Sequence, residues 1–128
     1  MPIQSIMDMV KEATAEIENV SVAEAQARMN DDDFVLVDIR DTREMTREGR
    51  IPGAYEASRG LLEFMIDPAS PLHQDIFASG KKLVFFCAGA GRSAISVKTL
   101  QEMGLENAAQ LAGGFKEWRE SGAPVDKD

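Results

Sequence analysis

Cys87 is the only cysteine in 128 residues, and its neighbours give it a chemical reading. An apolar run at 83–86 precedes it, and Ala88-Gly89-Ala90-Gly91-Arg92-Ser93 follows. A lone cysteine can be a small core hydrophobe or a nucleophile. Four small residues let the backbone curl so that successive N–H groups converge into an anion nest. After Ser93 the apolar residues Ile95, Val97, Leu100 and Met103 fall roughly on one helical face, and Gly104 stops the pattern. The loop therefore opens into a helix start, with unpaired amides and the positive end of the helix dipole. Arg92 adds a permanent charge. Such a cradle stabilises a thiolate, the nucleophilic form of cysteine, and predicts a thiol that ionises below the free value of about 8.5. The Gly-x-Gly in the loop is not a nucleotide signature, because no Lys-Ser/Thr pair and no longer glycine fingerprint follows it.

Other elements must position this loop. The run 83–86 reads as a buried strand ending at Cys87, and 34–39 as a second strand, apolar on both faces and so internal. Asp38 falls at the C-terminal end of that second strand, on the edge where ligands gather in open α/β sheets. It could orient groups near the loop, but a structural carboxylate, paired with Arg40 or capping nearby N–H groups, is the preferred reading. Residues 4–18 carry Ile3, Ile6, Met7, Val10 and Ile17 at helical spacing or flanking it, an amphipathic helix packed on the domain; contact with a second copy is the other reading. Ser21 with Glu24, and Asp41 with Glu44, are capping boxes for two further helices, the second turning Met45 inward. Asp31-Asp32-Asp33 reads as a solvated turn. A cap and apolar helix follow at 58–65, a last strand at 108–111, and a short helix with Phe115 and Trp118 in the core. His73, the only histidine, reads as a solvent-exposed loop residue; a thiolate held by amides needs no base.

Composition limits the alternatives. A chain of this length holds one main domain. The net charge of −8 argues against nucleic acid, and no apolar run approaches membrane-spanning length. The first ten residues lack the basic and apolar regions of a signal peptide, and one free thiol suits a reducing compartment, so a cytoplasmic location is expected. One cysteine and one histidine cannot make a zinc site, and no metal or organic cofactor is expected.

Strands alternating with helices call for a parallel sheet covered on both faces. Three segments then resemble the rhodanese family of sulfurtransferases. They are Val37-Asp38-Ile39-Arg40 with Glu44 and Gly49-Arg50-Ile51-Pro52-Gly53-Ala54, the Cys87-x-x-x-x-Arg92-Ser93 loop, and Leu111-Ala112-Gly113-Gly114-Phe115 with Trp118 and Gly122-x-Pro124. The match runs in order from about Val20 to Pro124; Arg50, Ala90 and Met45 stand where many relatives carry histidine, glycine and an aromatic. The resemblance implies an α/β rhodanese-like fold with a central five-stranded parallel sheet, an N-terminal helix over residues 1–19 and a rhodanese domain over 20–128. It also implies sulfur transfer: Cys87 takes the outer sulfur of thiosulfate or a similar anionic donor as a persulfide, and a thiol, cyanide or protein acceptor removes it. Ala88, Gly89, Ala90, Gly91, Arg92 and Ser93 would hold the persulfide. Arg59, brought near the loop by the same resemblance, is a candidate anion contact or an ordinary surface arginine. A monomer or weak homodimer is expected. The alternatives are a partner-directed module without catalysis, a sulfur carrier, and a phosphatase or arsenate reductase of the same fold. Phosphatase loops of this fold are one residue longer; here Cys87 and Arg92 enclose four residues, which suits a single sulfur better than a tetrahedral oxyanion.

Overall fold

Five short runs pair into one parallel sheet in the computed structural model, which describes residues 2–127. The strands are β1 (Asn19–Val20), β2 (Phe34–Asp38), β3 (Tyr55–Glu56), β4 (Lys82–Phe86) and β5 (Ala108–Leu111), in the spatial order β1-β5-β4-β2-β3. All four neighbour pairs are parallel. β4 lies in the middle, with Val37 opposite Phe85 on one side and Phe85 opposite Gln110 on the other. A central parallel strand is buried on both faces, which is why its sequence is apolar without alternation.

The two faces divide β4 by the strand period of two. Leu83, Phe85 and Cys87 pack with Val97 and Leu100 of helix α5 (Gly91–Glu102) and Leu62 of α4 (Leu62–Ile66). Val84 and Phe86 pack with Val22 and Ala25 of α2 (Val22–Arg28) and with Phe115 and Trp118 of α6 (Gly114–Glu120). Cys87 thus leaves the sheet on the α5 face. Trp118 is fully buried and its Nε1 donates to the Pro124 carbonyl at 2.7 Å, which pins the chain after α6. Helix α3 (Thr42–Glu48) begins on the expected capping box: the Glu44 N–H donates to Asp41 Oδ1, and the Asp41 N–H donates to Glu44. Met45 is buried beneath it.

Three details differ from the sequence reading. Helix α1 (Ile6–Glu16) packs against α5, but through its small residues and not its Ile/Met face: Ala13 is buried and Val10 Cγ2 lies 3.7 Å from where a Cβ on Gly91 would stand. Its Ile and Met residues face outward, Ile6 and Met7 at 57% and 71% exposure. Because α5 is covered on two sides, its buried face is Ser93, Ala94, Ser96, Val97 and Leu100, while Met103 at the helix end is 46% exposed. His73 is half-buried rather than exposed, its Nδ1 3.0 Å from the Met65 carbonyl, one of the end-of-helix acceptors that α4 leaves open. Among the described residues no helix is long and apolar enough to cross a membrane.

Candidate active site

The loop after β4 is shaped from outside by α6. The Phe115 N–H donates to the Cys87 carbonyl at 2.9 Å, and the Lys116 N–H to the Ala88 carbonyl at 2.9 Å. In a trans peptide the C=O and the next N–H point in opposite directions. Tying these two carbonyls to α6 therefore turns the N–H groups of Ala88 and Gly89 away from it. Gly91, Arg92 and Ser93 form the first turn of α5, whose amides have no intrahelical partner. Ala90 closes this turn, its carbonyl accepting from the Ala94 N–H at 3.1 Å.

Close approach makes the arrangement possible. Gly114 has φ +64°, and a Cβ there would stand 1.8 Å from the Gly89 oxygen. Only glycine allows the α6 amides to reach the loop at this distance. Gly89 itself faces open space.

Cys87 sits beneath the loop, 1% exposed, with Sγ 3.4 Å from Ser93 Oγ. Ser93 belongs to a chain of hydrogen bonds that runs from the core to the exposed Asn19 and whose direction is fixed from that far end. Asn19 Nδ2 donates to the carbonyls of Thr14 and Ile17, so Asn19 Oδ1 must accept from Gln110 Nε2, at 3.0 Å. Gln110 Oε1 then accepts the Ser93 hydroxyl proton at 2.6 Å. That proton is spent, and Cys87 faces a hydroxyl lone pair, to which its S–H can donate.

Arg92 follows the loop and is clamped by Glu44, Nη1 to Oε1 at 2.7 Å and Nη2 to Oε2 at 2.8 Å. The fork geometry favours charge on both groups. The Arg92 hydrogen bond, opposed by burial and helped by the Asp41 amide, lowers the Glu44 carboxyl to about 2. Arg92 is raised above its ordinary value, first by Glu44 and to a smaller extent by the Cys87 sulfur.

Asp38 and Arg40 form a buried ion pair, each side chain 1% exposed, with Arg40 Nη2 2.8 Å from Asp38 Oδ2. Arg40 also donates to the Gly49 carbonyl at 2.9 Å and stacks on Phe115 at 4.2 Å. Asp38 therefore spends its oxygens on Arg40, tying the end of β2 to the end of α3. Arg59 pairs with Glu63 at 2.8 Å, and its N–H donates to the Ile39 carbonyl. The structure brings Cys87, the loop residues, Ser93 and Arg92 together; Asp38 and Arg59 have other partners. His73 is engaged at α4, and among the described residues no group of three His, Cys, Asp or Glu side chains is placed to hold a metal.

Three contributors escaped the sequence reading as site residues. Glu44 stood out as a helix cap and as part of the first family signature, with nothing to name Arg92 as its partner. Gln110, a polar residue inside an apolar strand, was the available signal for the hydrogen-bond chain. Gly114, half of a Gly-Gly pair, signalled the close approach.

The chain matches the family model for the rhodanese-like domain over residues 21–121. It is 31% identical over 104 residues to thiosulfate sulfurtransferase/rhodanese-like domain-containing protein 3 of Mus musculus, an alignment that spans 77% of this chain and 66% of the mouse protein. It is 28% identical over 107 residues to thiosulfate:glutathione sulfurtransferase of Homo sapiens, covering 79% of this chain and 92% of that one. Among solved structures, a Rhodopseudomonas palustris protein of unknown function, described as a possible tyrosine phosphatase, superposes with a TM-score of 0.91 at 46% identity, covering 98% of this chain and 99% of the other. The polysulfide-sulfur transferase homodimer of Wolinella succinogenes superposes with a TM-score of 0.71 at 29% identity, covering 94% of this chain and 86% of the other.

Proposed function

The chain belongs to the family of rhodanese-like domains, and from that premise we propose that it is a sulfurtransferase working through a Cys87 persulfide. Cys87 gives up its proton, and the thiolate attacks the outer sulfur of thiosulfate. The S–S bond of the donor breaks and sulfite leaves with the bonding pair. The outer sulfur stays on Cys87 as a persulfide anion, facing the loop amides of Ala88 through Ser93. A thiol or cyanide then attacks that sulfur and regenerates the thiolate, so the kinetics are ping-pong. Preorganised amides stabilise the anion in both half-reactions. A free thiol as the working group suits a reducing compartment such as the cytoplasm.

The observation that carries this reading is the six-residue loop from Cys87 to Arg92, with its first two carbonyls tied to α6 and the amides of Ala88 and Gly89 turned the other way. Cys87 is 1% exposed, so the loop must part for the donor, and Gly89, facing open space, is where it can give. The thiosulfate and polysulfide in the names of relatives make these the first donors to test.

The phosphatase reading draws on the description of the R. palustris protein. A phosphate would need the Arg92 fork, and both guanidinium arms are taken by Glu44. The short loop also leaves little room for four oxygens. Mass spectrometry of the intact protein separates the two. Mixing with thiosulfate or polysulfide is expected to add one sulfur atom, and Cys87→Ala to add none. Hydrolysis of an aryl phosphate with no sulfur gain from either donor would overturn the proposal.

A further inference from the structure

We infer that the exposed Asn19 is a positioning residue for Cys87: held by the end of α1, it sets through Gln110 which way the Ser93 hydroxyl points. The inference rests on the reading of Cys87 as the working nucleophile. Parallel pairing of β1 with β5 places Asn19 opposite Gln110, and Gln110 Nε2 reaches Asn19 Oδ1 at 3.0 Å. At its other end Gln110 Oε1 lies 2.6 Å from Ser93 Oγ, which lies 3.4 Å from the sulfur. A carboxamide donates from one atom and accepts at the other, so turning one amide of this chain turns the next. The reversed chain makes the same contacts. Gln110 Nε2 would donate to Ser93 Oγ, the Ser93 hydroxyl to the sulfur, and Asn19 Nδ2 to Gln110 Oε1. Ser93 and Gln110 are buried, so solvent selects no direction there. The Ala90 carbonyl, 3.5 Å from Ser93 Oγ, is a weaker acceptor for the same hydroxyl.

The direction is selected at the α1 end. The last four carbonyls of a helix have no intrahelical donor, and that of Thr14 is one of them. Asn19 Nδ2 donates to it at 3.1 Å and to the Ile17 carbonyl at 3.2 Å. Carbonyls only accept, so Asn19 Oδ1 is left for Gln110, and the Ser93 proton is left on Gln110 Oε1. The helix end is itself fastened to α5. Gln101 Nε2 donates to the Glu16 carbonyl at 3.1 Å, and Lys98 Nζ lies 3.2 Å from the Glu16 carboxylate. While α1 holds Asn19, a sulfur anion at Cys87 lacks the Ser93 proton. Let go from those surface carbonyls, which water can satisfy in its place, Asn19 allows the whole chain to reverse. The hydroxyl then donates to the sulfur, the direction that favours the thiolate and the persulfide anion.

The test reads the pH profile of Cys87 alkylation by iodoacetamide in the whole protein, in about 1 M salt, where a Debye length of about 3 Å screens surface charge. Asn19→Ala and Asn19→Asp both lose the two bonds to α1. Asn19→Ala leaves water beside Gln110 and so no preferred direction. Its profile should move to lower pH, with alkylation at pH 7 about threefold faster or more, because the rate follows the thiolate fraction. Asn19→Asp keeps an acceptor against Gln110 Nε2, and its profile should stay with that of the unmodified protein. Circular dichroism checks that both fold, and Asn19→Ser, whose hydroxyl donates or accepts, should follow Asn19→Ala. The charged groups on the elements around the loop, Arg92 of α5, Glu44 of α3, Lys116 of α6 and Arg59 with Glu63 at α4, are the same in every variant. An unmoved profile in Asn19→Ala would overturn the inference, and an equal shift in Asn19→Asp would reduce Asn19 to a fastening of α1. Alkylation involves no sulfur transfer, so its outcome is judged separately from persulfide formation, which intact-protein mass reports.

Discussion

Ser93 has one hydroxyl proton; besides the Ala90 carbonyl at 3.5 Å, Gln110 Oε1 and the Cys87 sulfur can receive it. Asn19 and Gln110 direct that proton away from the sulfur. The arrangement suits a resting thiol whose own proton points at Ser93. When the thiolate forms, the hydroxyl gains by turning to it, but Gln110 Oε1 is then left buried and unpaired, at a cost of about 1–3 kcal/mol. Gln110→Leu removes the competing acceptor. The protein should lose about 1–2 kcal/mol of stability, since the buried Gln110 loses its bonds to Ser93 and Asn19, yet iodoacetamide should alkylate Cys87 several-fold faster at pH 7. Gln110→Glu keeps an acceptor and should not accelerate alkylation. Equal acceleration by both variants would point to simple loosening of the core and against a proton with two destinations.

Two element-level contacts set the loop, and each makes a different prediction. Helix α6 reaches it through Gly114, where φ is +64° and a Cβ would overlap the Gly89 oxygen. Gly114→Ala combines left-handed strain with a backbone clash and should cost about 2–4 kcal/mol, with persulfide formation lost in the fraction that folds. Gly89→Ala, on the open side of the same contact, should leave the thermal midpoint within a few degrees. Helix α3 reaches the loop through Glu44 and Arg92. Arg92 is 44% exposed, so solvent screening limits the pair to about 1 kcal/mol. The folded carboxyl titrates at about 2, below the unfolded value of about 4.3. Its contribution is therefore complete above about pH 5 and fades as the pH falls through the folded value. The stability gap between the unmodified protein and Glu44→Gln, measured by urea unfolding, should be full at pH 6 and shrink steadily below pH 4; a gap that widens on acidification would refute the clamp. These contacts also mark what the sequence could disclose. Apolar runs and capping boxes encode elements through local periodicity, so β2, β4, α3 and the Cys87 loop were legible from residue order. The Glu44–Arg92 clamp and the Gln110–Ser93 bond join residues 48 and 17 positions apart, and no local pattern encodes a partner across the sheet. The outward Ile and Met residues of α1 misled for the same reason: periodicity marks an apolar face without saying what covers it, and here Ala13 and Val10 meet α5 instead.

At the scale of the whole molecule, a net charge of −8 opposes the approach of any anionic donor, while the α5 amides and the basic cleft beside the loop, lined by Lys116 and Arg119, favour it at short range. The two effects differ in reach and so in their response to salt. The Debye length is about 30 Å at 0.01 M and about 8 Å at 0.15 M ionic strength. Over that range the repulsion between the whole protein and a distant dianion is largely screened. The contacts made inside the loop lie well within the shorter length and survive. The KM for thiosulfate should therefore fall, about twofold or more, as an inert salt is raised from 0.01 to 0.15 M, with kcat nearly constant because the persulfide is already desolvated beneath the loop. Above about 0.5 M the local contacts weaken as well and KM should turn upward. A KM that rises from the lowest salt onward would mean that the basic cleft, not the acidic surface, governs the field that an incoming donor meets, and would transfer the steering role from the loop to Lys116 and Arg119.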